Sequence, residues 1–154
     1  MNKFDAIFDA SLRKNVSDIH FKLGLEYHEK QQYDDAAEYF DLDYKHFMPT
    51  DKQASILDFG CGGGSFLYYL KKNGYSNFSG IDISPDLVQF CKKKIDCNVE
   101  QADGLDFLKY KKGTYDVIAA HDVLEHIPKD WTLGFIKSVY QALRPNGVFI
   151  VRVP

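Results

Sequence analysis

The chain has 154 residues, with 19 Lys and Arg against 22 Asp and Glu, giving a formal net charge of −3. That length suits one domain with a real core, and the slightly acidic balance argues against electrostatic binding of nucleic acid. Cys61, Cys91 and Cys97 follow neither metal-site nor disulfide-framework spacing. No run is apolar enough to span a bilayer, and the first residues lack the apolar stretch of a signal peptide. A reduced, cytoplasmic setting with no metal site is expected.

Residues 1–53 read as an N-terminal helical extension, because they carry a single glycine, many aromatic and charged residues, and no strand pattern. Within it, 32–47 sets Tyr33, Ala36, Ala37, Phe40 and Tyr44 at three- and four-residue spacings, the signature of an amphipathic helix. Pro49 is expected to end that helix, with 50–53 as a linker. Residues 54–154 read differently, as alternating strands and helices. Strands are predicted near 55–59, 78–83, 97–100, 115–120 and 147–153, and helices near 64–73, 85–95, 103–109 and 130–143. Gly74 stops the first of these helices, Ser84-Pro85 caps and opens the second, and Pro145-Asn146-Gly147 turns the last into the final strand. Alternation of this kind implies an α/β fold, a doubly wound, mostly parallel sheet with helices on both faces.

The most informative run is Ile56-Leu57-Asp58-Phe59-Gly60-Cys61-Gly62-Gly63-Gly64-Ser65. It reads as a buried strand, a glycine turn and a helix start, a place where a ligand can lie against bare backbone. About 20 residues on, Gly80-Ile81-Asp82-Ile83-Ser84 ends a second apolar run in an acid, as a nucleoside site needs for ribose hydroxyls. Cys61 has no neighbouring base in sequence, which favours a small turn residue over a nucleophile. The runs Lys92-Lys93-Lys94 and 109–112 read as solvated helix ends. A nicotinamide or flavin dinucleotide is the rival ligand. Its fingerprint closes on Gly or Ala, where this chain has Ser65.

With these residues placed, the stretch from 55 to 154 resembles the class I S-adenosylmethionine-dependent methyltransferases. The resemblance rests on five segments in family order: 57–64, 80–84, Gln101-Ala102-Asp103-Gly104, Tyr115-Asp116-Val117-Ile118 and Leu143-Arg144-Pro145-Asn146-Gly147. It implies a Rossmann-like methyltransferase fold and S-adenosyl-L-methionine as cofactor. Gly60, Cys61 and Gly62 would then approach the methionine part and Asp58 would orient its ammonium. Asp82 would accept from both ribose hydroxyls, and Ile83 would flank the adenine. Asp103 and Gly104 would contact the adenine edge, with capping of the following helix as the competing role for Asp103. His121 would border the transferable methyl.

Candidate catalytic residues lie in 120–128. If that segment is helical, Asp122, Glu125 and His126 share one face. His126 would be a general base, the three together would bind a divalent metal as similar clusters do in some superfamily members, or Glu125 and His126 would brace the loop. The ending Arg152-Val153-Pro154 and the aromatic helix with Tyr39 and Tyr44 are similar to enzymes of polysaccharide and lipopolysaccharide biosynthesis. That similarity favours a sugar hydroxyl as acceptor, with phenolic or quinone-type acceptors next. A non-catalytic cofactor-binding module is the alternative class. Nucleic-acid methylation is disfavoured, since His121-Asp122-Val123-Leu124 stands where an Asn-Pro-Pro-Tyr type motif would. The family sheet carries two more strands after the fifth. The resemblance therefore implies a core lacking its last two strands, its open edge covered in a longer protein or a homodimer.

Overall fold

The computed structural model describes residues 30–153, without the side chains of Lys30 and Gln31. The expected helical extension over 1–53 is therefore seen from Lys30 onward, and its first 29 residues lie outside the described residues. The elements run α1 (Lys30–Tyr44), β1 (Ile56–Phe59), α2 (Ser65–Lys72), β2 (Phe78–Asp82), α3 (Pro85–Lys94), β3 (Asn98–Gln101), α4 (Gly104–Leu108), β4 (Tyr115–His121), α5 (Lys129–Ala142) and β5 (Leu143–Arg152). A 3-10 turn, Leu124–His126, sits between β4 and α5. Among the described residues no helix is long and apolar enough to cross a membrane.

The five strands form one sheet in the order β3-β2-β1-β4-β5, and every pairing is parallel. The chain starts in the middle, steps outward to β3, then crosses back to β4. Between β1 and β4 the connections leave in opposite directions, which opens a crevice beyond their carboxyl ends. Side chains alternate across the sheet. Ile56, Val117 and Ala119 face a cluster with Phe40, Tyr44, Phe66 and Tyr69 from α1 and α2. Leu57, Ile118 and Ala120 face the opposite cluster, with Phe135, Val139 and Ala142 from α5. Burial on both faces explains why β1 and β4 read as near-continuous apolar runs.

Local chemistry explains most boundaries. Ser84 Oγ accepts from Leu87 N and Pro85 opens α3, while Lys92, Lys93 and Lys94 end it in solvent. Pro49, however, does not end α1. The helix stops at Tyr44, whose carbonyl accepts from Phe47 N and Met48 N in a closing turn. The expected turn at 145–147 lies inside β5 as a bulge. Asn146 adopts φ +65°, and β5 advances from Leu143 to Val148 while β4 advances only from Tyr115 to Val117. The outer edge of β5 has no strand partner among the described residues.

Candidate functional site

The glycine turn leaves β1 toward the crevice. Gly60 N and Cys61 N both donate to Ile81 O, at 2.8 and 2.9 Å, so the turn is tied to β2 from its first residue. Gly60 and Gly62 both have positive φ, +72° and +52°. Their surroundings differ. A Cβ on Gly60 would lie 2.6 Å from Val123 Cγ2, whereas one on Gly62 would meet nothing within 4 Å. Gly60 is thus glycine for packing, and Gly62 faces open space where a ligand can touch backbone.

Asp82 closes the other side. Its Oδ2 accepts from Gly62 N at 2.9 Å and its Oδ1 from Ser84 N at 2.8 Å. A carboxylate offers about four lone-pair sites, so both oxygens retain capacity for a diol. Ile83 beside it is 64% exposed, a bare apolar surface at the crevice rim. The bond between Gly62 and Asp82 joins the two motifs directly, which their separation in sequence does not reveal.

Two residues expected at the adenine edge also have structural work. Asp103 caps α4, its Oδ1 accepting from Leu105 N and Asp106 N at 3.0 and 3.4 Å. Gly104 lies against the Phe59 ring, and a Cβ there would fall 2.0 Å from Phe59 Cζ. The side chain of Cys61 also turns inward. It is buried, with Sγ 2.9 Å from the place a Gly80 Cβ would occupy, so only its backbone can meet a ligand.

The thiols of this layer are held in their neutral form. A hydrogen bond with Cys91, then burial, pushes the Cys61 thiol up, and burial pushes Cys97 up to about 12. Raised values keep both as neutral thiols at pH 8, where only the thiolate would react. Iodoacetamide at pH 8 is expected to leave Cys61 and Cys97 unmodified in the folded chain and to label both in denaturant, as read by peptide mass mapping.

Asp58, only 2% exposed, and His121 share the sheet face covered by α1, with His121 Nδ1 3.9 Å from Asp58 Oδ1. The His121 ring stacks on Tyr44 at 5.4 Å and lies 5.2 and 4.9 Å from Phe40 and Phe66. Its Nε2 is buried without a hydrogen-bond partner, which is costly unless something else supplies one. Open backbone at Gly62, a carboxylate at Asp82 and this unsatisfied nitrogen at His121 suit a ligand with a diol at one end and polar groups at the other.

The shared face expected for Asp122, Glu125 and His126 does not form, because the segment is not an α-helix. Asp122 adopts φ +55° and is drawn to β5, its Oδ2 2.5 Å from Arg152 Nη2. Glu125 and His126 sit exposed on the 3-10 turn. Among the described residues no three His, Cys, Asp or Glu side chains gather as a metal site, so the metal reading has no geometry behind it. Tyr39 is 54% exposed, while Tyr44 is buried on His121.

Two contacts to the loop had no signal in the sequence. Tyr33 Oη donates to Gly63 O at 2.8 Å, and Cys91 Sγ to Gly62 O at 3.2 Å. The helical spacing puts Tyr33 on the buried face of α1 but says nothing of where its hydroxyl ends. Shallow hollows of about 240 and 450 Å³ lie at the other ends of the strands, against Ile56, Phe78 and Tyr115 and against Val117 and Val148, and hold none of these residues.

The sequence matches the family described as "Methyltransferase domain" over residues 27–154. It is 30% identical over 128 residues to human EEF1A lysine methyltransferase 2, covering 70% of this chain and 49% of that protein. It is 26% identical over 117 residues to a ubiquinone biosynthesis O-methyltransferase of Xanthomonas campestris, covering 71% and 47%. Among solved structures, a SAM dependent methyltransferase from Archaeoglobus fulgidus superposes with a TM-score of 0.65 at 25% identity, covering 77% of this chain and 53% of that one. An S-adenosylmethionine dependent methyltransferase from Mesorhizobium loti gives 0.62 at 28%, covering 77% and 54%. The chain spans about half the length of the curated relatives it matches.

Proposed function

Because this chain belongs to the methyltransferase domain family, we propose that it binds S-adenosylmethionine in the crevice beyond β1, β2 and β4 and serves transfer of its methyl to a hydroxyl acceptor. The observation that carries the reading is the 2.9 Å bond from Gly62 N to Asp82 Oδ2, which makes one cradle of the glycine loop and the strand-end acid. In this cradle Asp82 accepts from the ribose hydroxyls, Ile83 flanks the adenine, and Gly62 leaves room for the amino-acid tail. Asp58 takes the ammonium, directly or through water, and His121 Nε2 gains the partner it lacks.

The cofactor supplies an activated methyl on sulfur, so the chain has chiefly to align the acceptor and exclude water. The aromatic side chains around His121 keep that end of the crevice dry. A hydroxyl acceptor must also lose its proton, and His126, exposed on the 3-10 turn after β4, is the candidate to take it. A sugar hydroxyl is the favoured acceptor, on the similarity of the Arg152-Val153-Pro154 ending to polysaccharide-modifying enzymes. An amine is the second reading, favoured by the 30% identity to a lysine methyltransferase.

Calorimetric titration with S-adenosylhomocysteine tests the cofactor, and labelled methyl transfer to sugars, phenols and a lysine peptide tests the acceptor. His126→Ala is expected to lower transfer to a hydroxyl roughly a hundredfold while leaving S-adenosylhomocysteine binding unchanged. Near-full turnover would remove the base. Binding without transfer to any acceptor would favour a non-catalytic module, and tight NADH binding with no S-adenosylhomocysteine binding would overturn the cofactor.

A further inference from the structure

We propose that Tyr33, on a helix outside the α/β core, is a positioning residue of the cofactor crevice, its hydroxyl holding the glycine loop in the shape that accepts the ligand. The proposal rests on the reading of that loop as the cofactor's cradle. A stretch with glycine at 60, 62, 63 and 64 loses much conformational freedom when it is fixed. It accepts a ligand only if its peptide planes are held.

Besides the backbone bonds of Gly60 N and Cys61 N to Ile81 O, three side chains hold them, each from a different element. Asp82 at the end of β2 receives Gly62 N, Cys91 of α3 donates to Gly62 O, and Tyr33 of α1 donates to Gly63 O at 2.8 Å. A thiol is a weak donor, so the phenol is the stronger of the two carbonyl tethers. Tyr33 is 7% exposed, which shields the bond from water, and burial pushes its hydroxyl far above the usual phenol range, so it stays a donor. Its ring lies 5.2 Å from that of Tyr68.

Asp34 ties α1 to α2 separately. That carboxylate accepts from Tyr68 Oη at 3.0 Å and Lys72 Nζ at 2.7 Å, both on α2. Farther along, the same helix lays Phe40 and Tyr44 against His121. Helix α1 therefore reaches both ends of the crevice, and the Tyr33 hydroxyl is a polar bond from it to the loop.

Tyr33→Phe keeps the ring and removes the hydroxyl that makes that bond. It is expected to weaken S-adenosylhomocysteine binding about tenfold, the effect of one buried hydrogen bond. In the ligand-free chain it is expected to shift the amide resonance of Gly64, whose nitrogen shares a peptide unit with Gly63 O. Tyr68→Phe is the control. It keeps the ring and the backbone bond to Gly64, removes only a hydroxyl bond from α2 to Asp34 and spares the Tyr33 bond to Gly63 O, and it is expected to leave affinity within about twofold and the Gly64 resonance in place.

Wild-type affinity in Tyr33→Phe, or an equal loss in both variants, would overturn the positioning role while leaving the cofactor reading intact. A wild-type chain that binds no S-adenosylhomocysteine would overturn the cofactor reading, and this proposal with it.

Discussion

Asp82→Ala is expected to lower affinity for S-adenosylhomocysteine by at least about a hundredfold, measured by calorimetry. On the proposed reading the side chain serves the ligand twice, by accepting from ribose hydroxyls and by accepting from Gly62 N, which fixes the loop beside it. Hydrogen bonds to a charged group contribute about 1.5–3 kcal/mol each, and two of them correspond to a loss of that size. Asp82→Asn separates the two roles. The amide keeps the shape but presents one acceptor oxygen where the carboxylate presents two, to Gly62 N and Ser84 N. Its binding should fall between wild type and Ala. A fivefold or smaller loss in Asp82→Ala would remove the residue from the site.

Gly104→Ala is expected to destabilise the fold by about 2–3 kcal/mol, near the upper end for an overpacked core. The new Cβ would stand 2.0 Å from Phe59 Cζ. That ring cannot easily retreat, because Phe59 ends the central strand β1 and packs on Phe135 with centroids 5.0 Å apart. The thermal midpoint should fall by roughly 5–10 °C. Adding Phe59→Leu should recover part of the loss, since the two positions share one contact and their effects cannot add. The outcome also decides what this glycine does. Were it glycine for the cofactor's sake, Ala would block binding and leave stability intact.

These two residues show where the sequence was informative. The place of Asp82 at the end of β2 was legible because an acid closes an apolar run a fixed distance past a glycine turn. Gly104 was assigned to a ligand because it follows Asp103 within a familiar segment. Its glycine identity also answers to an aromatic ring on β1, distant in sequence. Asp103 shows an ambiguity inherent in the residue, since the carboxylate that suits an adenine edge also caps the helix that begins there. Asp122 was misplaced because helical spacing assumes helical backbone, and its pairing with Arg152 across the β4–β5 edge holds it at φ +55° instead.

The order of elements, the parallel sheet, the glycine loop and the acid at the end of β2 follow from the chain's own periodicity and turn chemistry. These properties are local, set within a few residues by backbone sterics and by which side chains must be buried. Only the tertiary structure decided that Gly62 leans on Asp82, that Tyr33 reaches the loop, and that Phe40 and Tyr44 enclose His121. Those contacts join elements far apart in the chain, and they exist because strand order and helix docking bring them together, information that no local spacing carries.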